Sequence, residues 1–136
     1  MVQEFIGAWS LKSALAAPVG QSPQPFMGAH PRGLLIFSKN GMMNLTLVPQ
    51  EDPHGFGINF ASGPYEVTND EITASGARAV DFSHTIKTAA DSDLIDDVKD
   101  RTCEVSPDGA SLTLRVRDYY VPGGGKLDVT LTWERA

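Results

Sequence analysis

Residues 78–86 read Arg78-Ala79-Val80-Asp81-Phe82-Ser83-His84-Thr85-Ile86. Val80, Phe82, His84 and Ile86 share one parity, and Ala79, Asp81, Ser83 and Thr85 share the other. A period of two with apolar side chains on one parity is the pattern of a strand that buries one face. The same stretch sets a single titratable group, His84, among apolar neighbours, so it bears on both fold and chemistry.

The period continues on either side. Leu112, Leu114 and Val116 alternate with Thr113, Arg115 and Arg117. Leu127, Val129, Leu131 and Trp133 alternate with Asp128, Thr130, Thr132 and Glu134. Met43, Leu45 and Leu47 alternate with Asn44 and Thr46, and either set can be the inner one. Gly33 to Phe37 is wholly apolar, and periodicity leaves its orientation open. Lys39-Asn40-Gly41 is a hairpin signal, because Asn-Gly tolerates the positive φ angles of a type I′ turn. Asn69-Asp70, Pro107-Asp108-Gly109 and the run Pro122 to Gly125 punctuate the chain in the same way.

This spacing predicts an all-β fold of about eight or nine antiparallel strands, mostly joined as hairpins. Two segments break the pattern. The proline-rich stretch from Ala17 to Arg32 has no period and is expected to be a long loop. The aspartate-rich stretch near 91–100 is expected to be a short helix or loop, with Asp91 or Ser92 as N-cap. Antiparallel strands in this number must bury one face and protect their edges. A closed barrel does both, and a sandwich is the alternative. An eight-stranded barrel has an interior that side chains fill or that holds one small ligand.

Size and charge narrow the function. The chain has 136 residues, which is one domain, 1–136. Eleven Lys and Arg against 17 Asp and Glu give a formal net charge of -6. An acidic domain with no basic cluster is a poor partner for nucleic acid or anionic lipid. No apolar run approaches the roughly 20 residues that span a bilayer. The opening MVQEFIGAW does not have the basic-then-apolar order of a secretory signal. Cys103 is the lone cysteine, so no internal disulfide forms. Both point to a cytoplasmic protein.

Four stretches resemble the small lipocalin-like domain family, in that family's order and over nearly the whole chain. They are Phe5-Ile6-Gly7-Ala8-Trp9-Ser10-Leu11, with a Gly-x-Trp opening, and Gly33-Leu34-Leu35-Ile36-Phe37 followed by Asn40-Gly41-Met42-Met43. Ser62-Gly63-Pro64-Tyr65-Glu66-Val67 and Leu131-Thr132-Trp133-Glu134-Arg135 complete the set. The stretch between Ile86 and Arg101 departs from the family's pattern. The resemblance implies a lipocalin-like β-barrel whose lumen takes a small hydrophobic molecule. It also implies that Trp9 closes one end, with Arg135 packed over it. Some small barrels of this kind are cofactor-free cyclases or isomerases of natural-product pathways; others only carry their ligand.

The chemistry reduces to a few side chains. His30, His54 and His84 lie in separate segments with no ligand spacing, so no metal is expected, and no cofactor. The aspartates between 91 and 100 lack the pattern of a calcium loop. Gly123-Gly124-Gly125-Lys126 lacks the context of a phosphate loop. Cys103 has no base near it in sequence and reads as an inert thiol. His84 is the candidate proton-transfer group, with a hydrogen-bonded core histidine as the plain alternative. Tyr65 shares parity with Gly63 and Val67 and is the second catalytic candidate. Phe82, Val80, Arg78, Met43, Asn44 and Tyr119 are the candidate ligand contacts, Arg78 and Tyr119 at the openings. Arg101, Arg115 and Arg117 are equally readable as surface residues. The expected partner is a small hydrophobic molecule, with a homodimer left open. The reading is a cofactor-free isomerase or cyclase, or a carrier that performs no reaction.

Overall fold

A computed structural model describes residues 5–18, 21–25, 27–51, 57–121 and 125–136. Its strands are β1 (Gly7–Pro18), β2 (Gln24–Pro25), β3 (Arg32–Phe37), β4 (Met42–Val48) and β5 (Asn59–Ile72). They continue with β6 (Arg78–Thr85), β7 (Thr88–Ala89), β8 (Val98–Val105), β9 (Ser111–Val121) and β10 (Gly125–Arg135). Eight of them hydrogen-bond in the order β10-β9-β8-β6-β5-β4-β3-β1. β10 then pairs with β1, from Trp9↔Arg135 to Pro18↔Leu127, and closes an antiparallel barrel. Closure pairs each of these eight strands on both sides, though β8 and β9 share only part of their length. The short β2 adds to β1, and β7 adds to β5.

The parities hold. Val80, Phe82 and His84 point inward at 0%, 2% and 4% exposure. Leu112, Leu114, Leu131 and Trp133 are likewise buried. In the apolar run of β3, Leu35 and Phe37 face in, whereas Leu34 and Ile36 face out. In β4 the inner set contains Met43 and Leu47, and Asn44 stands outside. The helix or loop near 91–100 is one 3-10 turn, Ser92–Leu94, capped by Asp91, whose Oδ1 accepts from the Asp93 amide at 3.0 Å. It stops there because β8 already begins at Val98 and takes the chain into the barrel. The stretch from Ala17 to Arg32 is not all loop: β1 runs on to Pro18, and Gln24–Pro25 returns against Ala16 and Leu15. β1 gains β10 as a second partner there, which outweighs the local shortage of alternation.

Trp9 is fully buried, and its Nε1 donates to the Phe5 carbonyl at 2.9 Å. The Arg135 guanidinium lies over the Trp9 ring, 3.9 Å from the centroid. It also donates to the Ile6 carbonyl at 2.8 Å and the Gly109 carbonyl at 3.3 Å. Gly7 sits at φ +126°, and a Cβ there would stand 3.1 Å from Arg135 Nη1. The Gly-x-Trp opening and the terminal Arg are thus one structural unit.

The β8–β9 hairpin is tight at its turn. Asp108 Oδ1 accepts from Ser106 Oγ at 2.6 Å and from the Ala110 amide at 3.0 Å. These bonds hold the Asp108 carboxyl below its ordinary range. At the other end the hairpin opens. Its ladder runs only from Val105↔Leu112 to Thr102↔Arg115. Beyond it β8 stays with β6 as far as Thr85↔Val98, while β9 stays with β10 as far as Val121↔Gly125. A slit in the barrel wall separates them.

Candidate functional site

His84 is positioned by three strands. On β6 it lies opposite Tyr65 of β5 on one side and Lys99 of β8 on the other. β5 can pass close beneath it because residue 63 is glycine: a Cβ at Gly63 would stand 1.8 Å from the Thr85 carbonyl oxygen. The chain after β6 therefore lies directly on β5, and the Lys87 amide donates to the Ser62 carbonyl at 2.8 Å.

The His84 side chain is buried, and its Nε2 has no hydrogen-bond partner among the described residues. Burial pushes its pKa below the ordinary value. The Met43 carbonyl opposes that shift, the Arg101 charge adds to it, and the Gly63 carbonyl again opposes it. The imidazole is therefore neutral at neutral pH, with ring nitrogens that can accept or donate one proton. The depressed pKa predicts a pH effect on stability. Above the unfolded value of 6.5 both states are neutral and His84 contributes no slope. Below it the unfolded chain binds the proton first, so stability falls with pH until the folded-state pKa is reached. Denaturant midpoints at about pH 7 and about pH 5.5 should therefore differ more for wild type than for His84→Gln. An equal difference in the two proteins would mean that His84 is not desolvated.

Tyr65 faces inward beside His84, and its hydroxyl donates to the Ser38 carbonyl at 3.1 Å. Burial raises its pKa, with a smaller contribution from Cys103. Its ring belongs to an aromatic cluster. Phe37 stands edge-on to Phe5 at 5.3 Å, to Tyr65 at 5.2 Å and to Phe82 at 5.5 Å between centroids. Such edge-to-face contacts fill this part of the interior and fix the Tyr65 ring. Phe37 lay hidden in an apolar run without alternation, and Phe5 precedes the first strand, so sequence pattern did not single them out.

The other expected contacts divide. Met43, Val80 and Phe82 are buried in the same core as Tyr65. Asn44 is on the outer surface, where its Nδ2 donates to Ser62 Oγ at 2.6 Å. Arg78 lies six residues from His84 along β6, roughly 20 Å at strand rise. It binds both carboxylate oxygens of Asp70, at 2.9 and 3.0 Å. The structure thus does not bring Asn44 or Arg78 to His84. The Tyr119 side chain and His54 lie outside what is described. The Cys103 thiol is pushed up to about 12, chiefly by burial and then by Asp70 and Asp81, which makes it unreactive at neutral pH. Among the described residues no three of His, Cys, Asp and Glu gather as a metal-ligand set. Nor is any described helix long and apolar enough to cross a membrane.

A cavity of about 420 Å³ occupies the slit between β8 and β9. It is lined by Thr68, Asp81, Phe82, Asp100, Arg101, Thr102, Arg115 and Arg117, of which Thr68, Asp100, Thr102, Arg115 and Arg117 are exposed on the outer face. Phe82 is the one apolar residue of the lining; it is 2% exposed and lies one same-face step of about 7 Å from His84 on β6.

No curated protein is similar enough to the chain to count as a match. The model of the lipocalin-like domain matches residues 6–136, nearly the whole of the barrel just described. With that match, the Gly-x-Trp opening under Arg135 and eight closed strands, the chain belongs to the lipocalin-like domain family.

Proposed function

We propose that the barrel binds a small hydrophobic molecule against His84 and converts it as a cofactor-free isomerase or cyclase, with His84 moving the proton. One observation carries this reading: a buried imidazole nitrogen without a partner among the described residues, in an apolar interior. An unsatisfied buried polar atom costs about 1–3 kcal/mol, so its retention points to a ligand that completes the bond. The depressed pKa keeps the imidazole in its neutral form, which is the form a general base needs near neutral pH. Apolar walls exclude water and hold one conformer of the substrate, and that positioning lowers the barrier further.

A specific observation favours the plainer reading, a carrier. The one proton of the Tyr65 hydroxyl is already given to Ser38. Tyr65 steadies a developing oxyanion only by releasing that bond, which leaves the proton transfer to His84 among the described residues of this site. Product analysis after incubation with small polyketide- or terpenoid-like intermediates separates the two. For an enzyme, His84→Gln should cut the single-turnover rate roughly a hundredfold while affinity changes little. For a carrier, binding occurs without conversion and the same variant alters affinity alone. If His84→Gln and Tyr65→Phe fold normally and change neither quantity, the site is elsewhere.

A further inference from the structure

The cavity between β8 and β9 is more polar than the core behind it, and its lining carries three arginines against two aspartates on an acidic protein. The lining holds Arg101, Arg115 and Arg117 with two carboxylates, Asp81 and Asp100, and Asp128 lies with Arg115 and Arg117 in the adjoining groove. The chain as a whole carries a formal charge of -6. A locally cationic opening on an acidic protein focuses the field for a small anion.

The strand geometry explains how three arginines meet there. Arg115 and Arg117 project outward from β9, Arg115 in the last β8–β9 pair, Thr102↔Arg115, and Arg117 past it, where β9 keeps β10 but no longer pairs with β8. Arg101 projects inward from β8, opposite Phe82 of β6. Its Nη1 donates to the Asp100 carbonyl at 3.0 Å, which turns the guanidinium toward the slit edge. Asp81 accepts from Thr102 Oγ1 at 2.9 Å, and this bond uses part of one carboxylate's capacity. The lining thus carries planar guanidinium groups, with Phe82 as its one apolar member. Guanidinium forks match a carboxylate in shape as well as charge.

We propose that the slit between β8 and β9 is the ligand's entrance and its anion site. Arg101, Arg115 and Arg117 take the carboxylate of an amphipathic molecule whose apolar part passes Phe82 toward His84. This rests on the reading of the barrel as a binder of small hydrophobic molecules, and it narrows the class to a monoanionic carboxylate with an apolar body. An occupied lumen then has two polar anchors, the arginines at the wall and the imidazole inside.

The test compares two probes of matched chain length, decanoate and 1-decanol, by titration calorimetry at low salt. Wild type should bind decanoate more tightly than decanol, and added salt should weaken decanoate alone. Arg115→Gln/Arg117→Gln should lower decanoate affinity about tenfold and leave decanol unchanged, because both side chains are exposed and their removal spares the core. Lys12→Gln, an exposed residue of β1, should change neither and controls for net charge. Equal affinity of wild type for the two probes overturns the anion site while leaving the lumen reading intact. So does decanoate binding that survives the double substitution. Failure of both probes to bind wild type overturns the lumen reading, and the anion site with it.

Discussion

Trp9→Ala should lower folding stability by about 3–5 kcal/mol, the range for truncating a large buried aromatic. Trp9 is fully buried, and it sits where β1 meets both β10 and β3, at Trp9↔Arg135 and Trp9↔Leu35. Its loss opens a cavity at the seam that closes the barrel and frees the Phe5 carbonyl from its indole donor. Arg135→Ala should do less. The side chain is exposed, and its cation–π contact contributes about 0.5–1 kcal/mol at such a site. Because the guanidinium lies 3.9 Å from the ring centroid, the two losses should not add. Urea melts of the two single variants and the double variant measure this. A double-variant loss equal to the sum of the singles would mean that Arg135 takes nothing from the Trp9 ring.

The seam was legible in the sequence because it is written locally. A Gly-x-Trp pair and a terminal Leu-x-Trp-x-Arg strand name both partners, and closure brings them together. The inner faces of β6, β9 and β10 were legible for a related reason. In a barrel one side of each strand meets the core, so alternation survives wherever the outer face is polar. It failed in β3, where Leu34 and Ile36 are apolar on the outside. It was silent in β4 until β3 fixed the register through Leu35↔Leu45 and Phe37↔Met43, which sends Asn44 out with Ile36.

Half of the candidate site was legible on the same terms. His84 and Tyr65 share the lumen because parity placed each inward and β5–β6 pairing made them opposite. The slit was not legible. Its existence depends on where one ladder ends, at Thr102↔Arg115, while both strands continue with their other neighbours. No residue type marks that point. Arg115 and Arg117 look like any outward arginines of a half-buried strand. Only the end of the β8–β9 ladder at Arg115 turns surface charge into the rim of a cavity.

Gly63→Ala should be the most damaging small substitution in the barrel, with a loss of about 4 kcal/mol or more or no stable fold at all. The backbone at Gly63 is not in the left-handed region; the demand is purely one of space. A methyl there would stand 1.8 Å from the Thr85 carbonyl oxygen and 3.0 Å from the Lys87 amide nitrogen, both backbone atoms that no rotamer change moves aside. Accommodation requires separating β5 from the chain that follows β6. That breaks the Lys87-to-Ser62 bond and the pairing of Ala61 and Ser62 with β7. The same separation admits water to the His84 imidazole, and because burial is the chief cause of its lowered pKa, any folded remainder should titrate nearer the ordinary value even though the Gly63 carbonyl, which raises it, is withdrawn. The adjacent Pro64→Ala, at an exposed position, serves as the comparison and should cost little. Thermal melts give the stability loss, and an NMR titration of the His84 ring reports its surroundings. A Gly63→Ala protein within about 1 kcal/mol of wild type, with an unchanged His84 titration, would show that the strands can part here at little cost. The close crossing would then not be what holds His84 in place.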